Sequence, residues 1–227
     1  MSKPPTLLGD DQTASIATAL MMSHHGFRRD LARFQHALEG LAAGDGARVE
    51  ALREEWKSYC ATLHGHHQAE DTGVFPSIAG ERASARAVIE QLSADHRRID
   101  PLLERGEAAF AQLPSTRGAL AVVRELAALL EPHLATEERE IIPLLREQKT
   151  FPPPPDDEAL AMYAQGFAWA MQGIAPDVRE KMFAMLPAAL VAAIPAARAA
   201  FDARCERVWG SAKAGASRTP IPDSVGA

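Results

Sequence analysis

His66 is followed by Glu70, Asp71 and Phe75-Pro76, and His133 is followed by Glu137, Glu138 and Ile142-Pro143. The offsets agree throughout: a histidine, an acid four later, a second acid five later, an apolar residue nine later and a proline ten later. A His and a Glu at i and i+4 lie on one helix face and can grip one cation together. Imidazole and carboxylate are ligands for first-row divalent metals. Two such pairs on facing helices make a site that one helix cannot, as in carboxylate di-metal bundles, here with the His-Glu order reversed.

Each pair has an upstream companion. His24 opens His24-His25-Gly26-Phe27, His96 opens His96-Arg97-Arg98-Ile99, and each has an apolar residue three later. The chain therefore reads as His, then His-x3-Glu, twice over, which is a weak internal repeat spread across four helical segments.

The elements that must position these residues follow from apolar periodicity. Helix one is expected over about residues 12–41, on a stripe of Ile16, Leu20, Phe27, Leu31, Phe34, Leu38 and Leu41, with His24 filling its gap. The run Gly44-Asp45-Gly46 ends it. Helix two covers about 47–77 through Val49, Leu52, Trp56, Tyr59, Leu63, His66, Glu70 and Val74. Helix three covers about 83–113 through Val88, Leu92, His96, Ile99, Leu103 and Phe110; Pro101 inside it should kink it, at about 3 kcal/mol if unrelieved. Helix four covers about 116–148 through Leu120, Val123, Ala127, Leu130, His133, Glu137, Ile141 and Leu144, with Pro132 distorting the turn before His133. Four such segments with short loops make an all-α, up-down four-helix bundle.

Beyond it, the prolines of 151–155 form a stiff spacer. A C-terminal helical extension follows, opened by Asp156 or Asp157 as a cap, with helices over roughly 175–186 and 188–209. It is read as a cap on the bundle or a dimer surface, so a homodimer stays open. The chain thus divides into a flexible N-terminus (1–11), the bundle (12–149), linker and extension (150–210) and a small, polar tail (211–227) expected to be disordered.

Composition narrows the class. With 227 residues and 47% hydrophobic content the chain can bury a core, and no alternating β-branched run suggests a strand. A net charge of −6 without a clustered basic face argues against nucleic acid. No apolar leader core and no membrane-length apolar run are seen, and Cys60 and Cys205 read as reduced thiols, so a cytoplasmic protein is expected.

A single histidine on an apolar stripe is usually a hydrogen-bonded core residue. Here four histidines and two glutamates fall on stripes, and each unpaired buried glutamate would cost several kcal/mol or stay protonated. A shared cation removes that penalty, so His24, His66, Glu70, His96, His133 and Glu137 are expected to bind metal. Register favours His24 over His25, and His66 over His67, because Glu70 lies four after His66. His25 and His67 are therefore expected to be dispensable for metal, and His36 and His64 have no acid at helical spacing. Asp71 and Glu138 could be outer partners, alternative ligands or solvated acids.

These residues, over roughly 24–145, resemble the hemerythrin-like, or HHE cation-binding, family. The resemblance implies a four-helix bundle around a non-haem di-iron centre, oxo- or hydroxo-bridged, ligated by those six residues with the glutamates as bridges. The chain departs from the oxygen carriers in helix three, where Leu92 and Asp100 flank His96 at four residues, and in helix four, where their carboxylate would correspond to Glu138. The missing fifth histidine leaves room for an aspartate, tyrosine or water, with Asp100 and Tyr59 available. The implied partner is a small diatomic ligand, O2 or NO, or peroxide. The alternatives are a catalase-like enzyme that removes peroxide, and a structural or storage bundle in which zinc or manganese takes the place of iron. Whether the chain is an enzyme is left open by its sequence.

Overall fold

The expected stripes fold into helices in the computed structural model, which describes residues 6–42 and 44–210. The α-helices are α1 (Ile16–Glu39), α2 (Gly46–Ala69), α3 (Phe75–Glu81), α4 (Arg86–Ala111), α5 (Thr116–Glu140), α6 (Asp157–Ala170), α7 (Pro176–Met185) and α8 (Ala188–Trp209). The bundle is a ring of four: α1 packs on α2, α2 on α4, α4 on α5, and α5 back on α1. Its distal half is a dry core in which Trp56 stacks on Phe110, ring centroids 4.5 Å apart, and Phe34 meets both edge-on. Gly106 permits this, since a Cβ there would lie 2.1 Å from the Trp56 indole.

Local chemistry sets the helix starts. Thr18 Oγ1 accepts from Ser15 N at 3.0 Å at the start of α1, while Asp45 accepts from Arg48 N and Asp156 from Ala159 N at α2 and α6. Two expectations are corrected in detail. Helix two does not run to residue 77: α2 ends at Ala69 and a π-helical turn, Glu70–Val74, joins it to α3. That turn has one more residue than an α-turn, so the buried position passes from Val74, which is half-buried, to Phe75, which is fully buried. Helix four stops at Glu140, and Pro143 sits in a 3-10 turn, Ile142–Leu145. Pro101 and Pro132 do not break their helices. Each freed carbonyl, four residues earlier, belongs to an exposed residue, Arg97 or Ala128, where water can take the missing donor's place.

In the described part of the N-terminal segment Leu7 and Leu8 are buried, Asp10 and Asp11 are exposed, and Leu7 O accepts from Thr18 Oγ1 at 2.8 Å. The expectation of a disordered tail concerns residues outside those described. No helix among the described residues is long and apolar enough to cross a membrane.

The C-terminal helices cap the bundle. α6 and α8 pack on each other, α6 lies on α1, and α8 lies on α2. They cover a face of α1 that carries His25, Arg29, Asp30 and Arg33, all buried. Asp30 accepts from Arg29 Nε (2.8 Å), Arg29 Nη2 (3.1 Å), Arg33 Nη1 (3.2 Å) and Trp169 Nε1 (2.6 Å). Arg29 Nη1 also donates to the carbonyls of Trp169 and Gln172 at the end of α6. Gly26 lets the Trp169 ring lie against the α1 backbone, where a Cβ would sit 2.5 Å from it.

Candidate metal centre

Near one end of the bundle, polar side chains from all four walls replace the core. α1 supplies His24, α2 supplies His66 and His67, the π-turn supplies Glu70, α4 supplies His96, and α5 supplies His133 and Glu137. The i, i+4 spacing does what helical geometry demands: His66 Nε2 lies 3.2 Å from Glu70 Oε1, and His133 Nε2 lies 3.3 Å from Glu137 Oε1. All seven side chains are at most 8% exposed.

Their ligand atoms fall into two groups. Those of His24, His66, Glu70 and Glu137 lie within 4.8 Å of one another, as do those of His67, His96 and His133. The carboxylates join the groups. Glu70 turns Oε1 to His66 and Oε2 towards His96 Nε2, 3.7 Å away. Glu137 turns Oε2 to His24 Nε2, 3.2 Å away, and Oε1 to His133. Each acid thus spans both groups with its two oxygens.

The donor chemistry suits cations. His24 Nε2, His66 Nε2, His96 Nε2, both ring nitrogens of His67 and His133, Glu70 Oε2 and both Glu137 oxygens are buried without a hydrogen-bond partner. So many inward polar atoms would be costly if left without partners, and they suit a bound cation. Burial and the neighbouring imidazoles push His66 down to about 3 and lower His67 further, so both are neutral, the form that binds metal. Burial and the charge of Glu137 hold the Glu70 carboxyl well above its usual range. Burial opposes ionisation of Glu137 as well, but His133 and His24 outweigh it and hold that carboxyl well down. A cation between the two acids removes the repulsion that keeps Glu70 protonated.

Outside this shell stand the acids that follow the two glutamates. Asp71 Oδ2 lies 2.8 Å from His96 Nδ1, and Glu138 Oε1 lies 3.0 Å from His24 Nδ1. The pairing is crossed between the repeats: the companion histidine of each half is held by the second acid of the other.

The structure brings together all six residues singled out by spacing and adds His67, which register arguments set aside. α2 lies between α1 and α4 in the ring, and adjacent residues on a helix point 100° apart. His66 accordingly meets His24 edge-on, centroids 5.4 Å apart, while His67 stacks on His96 at 3.9 Å. The His-His doublet was the available signal, had α2 been given two neighbours rather than one stripe. His25 points away, to Gln172 O at 3.1 Å. Asp100 pairs with exposed His64, and Tyr59 sits among Phe27, Phe34 and Trp56; neither belongs to the two groups.

Residues 15–145 match the profile of a family described as Hemerythrin HHE cation binding domain. No curated protein and no solved structure matches the chain.

Proposed function

The chain belongs to the hemerythrin HHE cation-binding family, and from that premise we propose that it holds two iron ions and uses them to bind O2 or NO or to react with peroxide. In this reading His24 and His66 hold one ion, His67, His96 and His133 hold the other, and Glu70 and Glu137 bridge them. One observation carries the proposal: two donor groups within coordination reach, joined by two carboxylates that each turn one oxygen to either group.

Counting both bridges, the first group offers four donors and the second five, each short of an octahedral set. Open positions suit a centre that takes an exogenous ligand better than one that only closes a bundle. A bound iron pair supplies reversible electron transfer to such a ligand. The protein's share is to fix the imidazoles, balance the buried charge and exclude bulk water. Phe75 does the last by stacking on His96 at 5.8 Å, and Phe27 packs 5.2 Å from the His66 ring. Trp169 of the cap closes behind Phe27 at 4.9 Å.

The test is anaerobic loading with Fe(II), followed by O2, NO and hydrogen peroxide in separate additions under an optical spectrometer. The proposal expects new charge-transfer absorption with at least one of the three, abolished by chelation. Catalysed peroxide decay would assign the chain to the enzyme alternative. A colourless protein that holds zinc and responds to none of them would support the structural one.

A further inference from the structure

Glu137 and Glu138 are adjacent acids beside the same imidazole, yet they do different things. Glu137 Oε2 faces His24 Nε2 inside the centre, while Glu138 Oε1 faces His24 Nδ1 from behind. What keeps Glu138 behind is Arg28, one turn after His24 on α1. Arg28 Nη1 donates to Glu138 Oε1 at 2.5 Å, and Nη2 reaches Glu138 Oε2 at 3.4 Å. The other edge of the same guanidinium is held by Glu131, about two helical turns before Glu138 on α5, through Nε at 2.8 Å and Nη2 at 3.2 Å. Arg28 and Glu138 are only 15% and 12% exposed, so their edge of the clamp is partly desolvated, while Glu131 on the other edge is 60% exposed. The corresponding support of His96 is built differently. Asp71 Oδ1 accepts from Ser93 Oγ at 2.5 Å, no arginine or lysine among the described residues is paired with it, and its side chain is 35% exposed.

We propose that Arg28 is a positioning residue for the His24 half of the centre: its guanidinium fixes the Glu138 carboxylate, which accepts the His24 Nδ1 proton and so aims the Nε2 lone pair at the cation shared with His66, Glu70 and Glu137. The proposal rests on the two-cation reading above and adds an asymmetry to it. The His24 side is tethered by an ionic clamp and the His96 side by a neutral hydroxyl. Partners of this kind set the tautomer, orientation and basicity of a ligating imidazole.

A competing effect has the opposite sign. Arg28 is a positive charge near bound cations, so its removal would tighten metal binding if Coulomb repulsion dominated. The sign of the effect therefore decides between the two. Arg28→Gln removes charge and clamp, and Arg28→Lys keeps the charge but cannot grip Glu131 and Glu138 from two edges at once.

The experiment loads full-length protein anaerobically with Fe(II) and follows iron release into excess ferrous chelator, with apo-protein melting recorded for each variant. Positioning predicts that one of the two irons leaves roughly 10-fold faster in Arg28→Gln, within the range seen for lost outer-shell partners, and that the second leaves at the wild-type rate. Arg28→Lys should also release one iron faster, with melting of the apo form unchanged. Release from Arg28→Gln that is unchanged or slower, while wild type loads two irons, would overturn the proposal alone. Wild-type protein that takes up no iron would overturn the two-cation reading and this proposal with it.

Discussion

Asp30→Asn should unseat the C-terminal cap. Asp30 is 2% exposed and lies between Arg29 and Arg33, which are 3% and 5% exposed. Burial opposes its ionisation, but the two guanidiniums outweigh that and hold its carboxyl below the usual range. Asparagine keeps the shape but removes the charge and one acceptor. Two buried arginines are then left without that counter-ion, and the four N–H donors of Arg29, Arg33 and Trp169 compete for one oxygen. Breaking a buried ion pair from one side costs about 3–5 kcal/mol. At a few degrees per kcal/mol for a chain of this size, Tm should fall on the order of 10 °C. Arg29 also caps the end of α6 through the Trp169 and Gln172 carbonyls, so the loss should concentrate in the cap. Hydrogen exchange should rise across α6 to α8 more than in α4 and α5. A variant within about 1 kcal/mol of wild type, or with protection lost uniformly, would refute the view that this cluster docks the extension.

Other consequences are open to measurement. His67→Ala should hold one metal per chain where wild type should hold two, because it empties the group of His67, His96 and His133 of one imidazole; His64→Ala, which alters an exposed residue, should still hold two. Metal analysis after gel filtration distinguishes them, and two metals retained by His67→Ala would exclude it as a ligand. Burial pushes the Glu55 carboxyl up to about 7 despite Arg204 Nε 2.9 Å away. A carboxyl raised in the folded state stabilises below its unfolded value, and that contribution is lost as pH rises through about 7. Between pH 4.5 and 8, wild type should therefore lose on the order of 3 kcal/mol relative to Glu55→Gln, both measured by urea unfolding with chelator present. Parallel profiles for the two proteins would show that Glu55 is ionised throughout.

Much of this was legible because helical period and ligand spacing coincide. His66 with Glu70, and His133 with Glu137, had to share a face, and the buried stripes around them fixed which way that face turned. His67 was not legible from one stripe, since its partner helix lies a quarter-turn round the bundle from that of His66. The π-turn was hidden too: Glu-Asp-Thr-Gly-Val reads as ordinary helix, and only the burial of Phe75 in place of Val74 betrays the extra residue. The clasp was least legible. Arg29, Asp30 and Arg33 look like a solvated face, and their burial depends on Trp169 and Gln172, about 140 positions away along the chain. Charges that satisfy one another leave no hydrophobic signature to read.

Anomalous X-ray diffraction at the iron edge, from crystals of protein loaded with Fe(II), tests the central claim most directly. The account predicts two peaks, one among His24, His66, Glu70 and Glu137 and one beside His67, His96 and His133, with both glutamates within bonding distance of each. A single peak, or density outside the seven side chains, would contradict it.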